Sequence, residues 1–202
     1  MSSQGSPPRL FVFLWALLLC GCGPAAPAKA PTARVDVANV KPPAGVTLEQ
    51  ACTPTGPELC FNAVDDNCNG VIDEGCGVAT GLLQFVIAWP AAAADVNLEV
   101  CAPSGECIPP HHGATLPGGF HLDRDCPSDE GCRGQNEEDV SFDGLAPPRG
   151  HYEVTLRLVD PHGESTPVRV RFGARLGDRI VGFDVDLSPG DDAKKTLSFD
   201  VP

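Results

Sequence analysis

The sequence predicts a mainly β protein: an antiparallel β-sandwich, of jelly-roll or immunoglobulin-like kind, preceded by a small disulfide-rich loop module and a disordered tether. Three observations carry this expectation. From residue 78 onward, apolar and β-branched residues alternate with polar ones between Gly and Pro breaks, and no stretch has the period of a long amphipathic helix. Between residues 51 and 77, four cysteines recur with seven residues between neighbours. Between residues 22 and 50, Pro and Ala dominate and apolar side chains are scattered, so too little surface can be buried to offset backbone ordering.

The N-terminus reads as an export signal over 1–21. A polar, singly basic start precedes the apolar run Leu10 to Leu19, which is too short to cross a hydrocarbon core of roughly 30 Å. The run ends in "LCGC", which resembles the end of a bacterial lipoprotein signal, with Leu19, Cys20 and Gly21 ahead of Cys22. That resemblance implies lipidation (palmitate) at Cys22 and a partnership with the membrane through the lipid anchor. Cys20 is the poorer candidate, because bulky Leu19 would occupy its cleavage position. Gly23 after Cys22, where an Asp is absent, implies an outer-membrane location in the bacterial cell envelope. The tether 22–50 would then hold the folded part away from the bilayer.

Beyond the leader, eight cysteines remain: Cys52, Cys60, Cys68, Cys76, Cys101, Cys107, Cys126 and Cys132. An even number in an exported chain predicts four disulfides. "CAPSGEC" and "CPSDEGC" predict the local pairs Cys101–Cys107 and Cys126–Cys132, while the pairing of the first four stays open. No CxxC pair marks them as a zinc site.

The segment 51–77 carries the clearest metal pattern. Asp65, Asn67 and Asn69 occupy positions one, three and five of a loop with Gly70 at six, which is how calcium-wrapping loops space their oxygens. Val71 can add a carbonyl, Asp73 stands at position nine, and Ile72 supplies the apolar position eight. Position twelve is Cys76 where an EF-hand has its bidentate Glu, and the flanks lack helical period, so Glu74 or Asp66 is the substitute in a tighter loop. The competing account is a set of Asn and Asp turns closed by disulfides, with no ion. Copper is disfavoured by the lack of His and Met in this stretch, and His111–His112 reads as a turn beside Pro109 and Pro110. "CFNAVDDNCNGVIDEGC", residues 60–76, also resembles a short metal-binding repeat of exported bacterial proteins, with the pattern Cys-Asn-Gly-x-Asp-Asp-x-Cys-x-Gly-x-x-Asp-Glu-Gly-Cys. The departure is "FNA". The resemblance implies a structural metal.

For the sandwich, 78–202, eight strands are expected: 82–89, 95–101, 119–125, 138–144, 151–160, 166–173, 179–187 and 195–201. Tyr152, Val154, Leu156 and Leu158 share one face; Val168, Val170 and Phe172 oppose Arg169 and Arg171; Phe183, Val185 and Leu187 oppose Asp184 and Asp186. One apolar face per strand implies two packed antiparallel sheets. "DVNLEVCAPSGE", "GGFHLDRD", "NEEDV" and "GHYEV" resemble, in order, motifs of exported bacterial β-sandwich domains of the DxDLxV type. That resemblance implies a second metal-site candidate from acids at strand ends: Asp95, Asn97, Asp123, Asp125 and Glu138.

Composition narrows function. With 14 Lys+Arg against 27 Asp+Glu the net charge is −13, which disfavours nucleic acid as a partner and suits cations. HExxH, GxSxG and a P-loop are lacking, and His121, His151 and His162 sit in strand or turn contexts, so no catalytic residue is assigned and an enzyme is not expected. The expectation is a cell-surface lipoprotein with calcium as its structural cofactor and a sandwich that binds or adheres to a surface protein or glycan ligand. The alternatives are a structural envelope component without a small ligand, or a secreted hydrolase.

Overall fold

A computed structural model describes residues 34–202, apart from residues 133 and 145. The export signal and Cys22 lie outside the described residues. Ten strands form two antiparallel sheets. They are β1 (Ala38–Lys41), β2 (Leu83–Trp89), β3 (Asp95–Cys101), β4 (Thr115–Leu116), β5 (Phe120–Arg124), β6 (Asn136–Phe142), β7 (Gly150–Asp160), β8 (Val168–Leu176), β9 (Arg179–Leu187) and β10 (Lys194–Val201). The four-stranded sheet runs β1-β10-β7-β3 and the six-stranded sheet β4-β5-β6-β2-β8-β9.

The sandwich forms because each strand contributes a row of apolar side chains at every second position. Val96, Leu98 and Val100 from β3, Tyr152, Val154, Leu156 and Leu158 from β7, and Leu197, Phe199 and Val201 from β10 meet a matching inner face. That face carries Phe85, Ile87, Phe120, Phe142, Phe172 and Phe183. Tyr152 stacks on Phe199 with ring centroids 5.0 Å apart. The Tyr152 hydroxyl donates to the Pro148 carbonyl at 2.6 Å, so the polar tip of this buried ring is satisfied.

All eight expected strands are present, 95–101 and 179–187 with the expected bounds and the other six with shifted ends, and two are added. β4 pairs with β5. β1 comes from the expected tether: from residue 34 that segment is part of the fold, with Val35 and Pro43 buried, Ala38 opposite Asp200 and Glu49 bridging Gly182. Free backbone groups on the edge strand β10 outweigh the segment's low apolar content.

The strands β2 and β6 are buried at every position, on both faces. Inner residues of β2 enter the core. Its outer residues Gln84, Val86 and Ala88 lie under the cysteine-rich module, where Ala63 and Ile72 pack against Val86 and Ala88. Gln84 clamps the module by its backbone: the Ile72 N–H donates to Gln84 Oε1 at 3.3 Å, and Gln84 Nε2 donates to the Ile72 carbonyl at 2.9 Å. Gly173 of β8 lets the module approach, since a methyl there would run into the Ala63 carbonyl.

Candidate metal centres

Among the described residues four disulfides are present: Cys52–Cys68, Cys60–Cys76, Cys101–Cys107 and Cys126–Cys132. The two short pairs match the local pairing expected. The first four cysteines pair alternately, so two loops of equal span overlap and tie the module into a knot.

Inside that knot, acids brace the backbone. Glu58 Oε2 accepts the N–H of Asp66 at 3.1 Å and its Oε1 that of Asp73 at 2.9 Å. Asp66 accepts from the Thr55 hydroxyl at 2.7 Å, Asn62 Nδ2 at 2.8 Å and the Leu59 N–H at 3.2 Å. Burial alone would raise Asp66, but these donors outweigh it and hold its carboxyl below the ordinary value. Asp65 accepts the N–H of Asn69 at 3.0 Å and that of Gly70 at 2.9 Å.

Four of the six expected loop ligands face one another. The side-chain amides of Asn67 and Asn69 both donate to Glu74 Oε1, and Asp65 caps the same turn. Asp73 goes elsewhere: it is buried and accepts the backbone N–H of Ala63 at 3.1 Å and of Asn62 at 3.4 Å. Burial pushes its carboxyl up to about 6. The N–H of Val71 donates to Asn69 Oδ1 at 2.9 Å, an Asx turn. The loop therefore has the spacing of a calcium loop, while turn chemistry uses much of its oxygen inventory.

The five acids and amides expected at strand ends divide between the two faces of β6. Asp95 and Asn97 of β3 and Asp125, after β5, line one cleft together with Pro110, Pro127, Ser128 and His162. Glu138 reaches into this group from the inner face of β6. Its Oε2 accepts the Leu98 N–H at 2.6 Å. Its Oε1 is buried and has no hydrogen-bond partner.

Burial foremost, then the negative charges of Asp125 and Asp95, push Glu138 well above the ordinary carboxylate value. Burial and Asp125 likewise raise Asp95. Asp125 is positioned by the Cys126–Cys132 loop: its N–H donates to Asp129 Oδ2 at 2.9 Å, and the Ser128 hydroxyl donates to Asp125 Oδ2 at 2.8 Å. The fifth residue, Asp123, faces outward. Alternation along β5 puts Asp123 beside Asp139 on the module side, continuing the register of Leu122 opposite Val140, and the slip that follows brings Arg124 opposite Asp139 as well.

Three buried residues of this region escaped the sequence reading: Glu137, Asp139 and Gln84. The signal was there. Three consecutive acids in a strand put carboxylates on both faces, and Gln84 interrupts an otherwise apolar run. Among the described residues, one set of three His, Cys, Asp or Glu ligand atoms lies mutually within 4.8 Å, that of Glu99, Cys101 and Cys107. The sulfurs there form a disulfide, so that set offers no thiolate. At β6 the carboxylates meet in pairs, Asp125 with Glu138 and Asp123 with Asp139. A pair of carboxylates is stable in this arrangement only with a proton or a cation between them.

The four histidines nearest these regions pair with carboxylates: His112 with Asp129 at 2.9 Å, His121 with Asp143 at 3.0 Å, His151 with Asp200 at 2.7 Å and His162 with Asp160 at 3.7 Å. Compared with known family models, with curated proteins and with solved structures, the chain matches none of them.

Proposed function

We propose that this chain is a lipid-anchored surface protein of the bacterial envelope whose β-sandwich binds a protein or glycan ligand through loops stiffened by calcium. The observation that carries the reading is Glu138 Oε1, a buried carboxylate oxygen without a partner among the described residues, in a side chain that lies beside Asp125 at the loop end of the sandwich. Two carboxylates and the Asn97 amide oxygen offer hard oxygen donors of the kind calcium takes, with water completing the shell. The Asp95–Asp125–Glu138 group sits where the loops bearing Cys107 and Cys126 emerge, so an ion there ties β3, β5 and β6 together. Loops held by a rigid scaffold are the usual location of binding surfaces.

Thermal melting with and without millimolar calcium tests the reading. Wild type gains stability on calcium addition and Glu138→Gln gains markedly less; equal shifts in the two proteins would overturn it. Calcium-dependent retention on glycan or protein arrays then tests the binding role. Co-purification with an outer-membrane complex that survives chelation would favour a structural envelope role instead.

A further inference from the structure

The seam between the cysteine-rich module and the six-stranded sheet holds a second group of acids, on the face of β6 opposite Glu138. Asp139 and Glu137 are fully buried there. Asp139 Oδ2 accepts from Gln84 Nε2 at 3.2 Å, while Asp139 Oδ1 has no partner. Among the described residues Glu137 has no hydrogen-bond partner on either oxygen, and it pairs with Arg124 Nε at 3.7 Å. The register of β5 against β6 sets Asp123 beside Asp139, and Asp73 of the module lies near Glu137.

We propose that this seam binds a hard divalent cation between Asp139 and Asp123, with Glu137 behind them, and that the ion locks the module onto the sheet. Among the described residues the guanidinium paired with a carboxylate of this group is that of Arg124, 3.7 Å from Glu137, and its Nη2 is committed elsewhere. Arg124 donates to the Gly131 carbonyl at 3.1 Å and the Gln135 carbonyl at 2.9 Å, and lies 4.1 Å over the Phe61 ring. Asp123 and Arg124 also line a cleft with Gly77, Val78 and Asp129, which opens the Asp123 side of the pair to solvent. Two carboxylates, with water completing the shell, suit an ion that takes about six to eight oxygen ligands. Coupling to docking follows from a chain of bonds: Asp139 holds Gln84, and Gln84 holds both backbone groups of Ile72. This site is independent of the Asp125–Glu138 pair.

The test is calcium calorimetry on the full chain after chelation, with hydrogen exchange of the Ile72 amide as the local readout. Wild type and Glu138→Gln should each bind one calcium more than their counterparts carrying Asp139→Asn. In both, calcium should slow Ile72 exchange at least tenfold, and Asp139→Asn should abolish that slowing. Asp123→Asn, at the half-buried rim, repeats the comparison should Asp139→Asn fail to fold. Unchanged stoichiometry and unchanged Ile72 protection in these variants would mean a shared proton only, and would overturn the proposal. Calcium binding by Glu138→Gln equal to that of wild type, with the Asp139→Asn effects intact, would instead count against the calcium site at the loop end.

Discussion

Glu138 of one sheet accepts the backbone N–H of Leu98 in the other at 2.6 Å. β3 is an edge strand, so this carboxylate covers a free donor while its second oxygen points at Asp125. Glu138→Gln keeps an acceptor for Leu98 and removes a buried charge. It should therefore raise calcium-free stability by about 1–2 kcal/mol while weakening the calcium response. Glu138→Ala should lower calcium-free stability by about 1–3 kcal/mol, because the Leu98 donor is left unpaired. Urea denaturation in chelator separates the two outcomes.

Gly173→Ala should undock the module. The added methyl meets backbone, the Ala63 carbonyl, which cannot rotate aside. Overpacking of this kind costs about 1–3 kcal/mol. Faster amide exchange at Ile72 and faster proteolysis within 52–76, with the sandwich core still protected, are the expected readouts.

In chelator, stability should fall as pH rises from 5 to 9. Burial, reinforced by the Asp73 charge, pushes Glu137 up to about 8, and burial pushes Asp73 up to about 6. An unfolded carboxylate loses its proton near pH ~4. Between those values the folded state holds protons that the unfolded state has released, so stability declines as pH rises through about 6 and then about 8. Glu49 works in the opposite sense, because its hydrogen bond from Arg171 holds it low, so its contribution disappears in acid. Melting temperature measured across pH 3–9 should peak on the acidic side of neutrality.

Replacing Cys60 and Cys76 together by Ser should cost about 3 kcal/mol of module stability, the scale for closing a loop of roughly 15 residues. Removing Cys101 and Cys107 should cost less, since the shorter loop restrains fewer unfolded conformations. Denaturant titration followed by exchange at module and sandwich amides would rank the two.

How far the residues alone reach is clearest at particular positions. Alternation at Tyr152, Val154, Leu156 and Leu158 already identifies the inner face of β7, because the period of a strand is local geometry. The two short disulfides follow from six-residue separations, which bring their ends together in a turn. Asp73 behaves differently: at position nine it has the spacing of a ligand, yet a neighbouring turn offers it two N–H donors that hold it in a buried place.

Chain order and local period were thus sufficient to infer a sandwich, its facing rows and a crosslinked acidic knot. Three-dimensional packing settled which cysteines of that knot pair, that residues from 34 join the β10 edge, and that β6 buries carboxylates on both its faces. The physical reason is that these outcomes depend on partners distant in the chain. An edge strand's free N–H groups, the register that sets Asp123 beside Asp139, and a module lying over Gly173 exist only once the strands have been brought together.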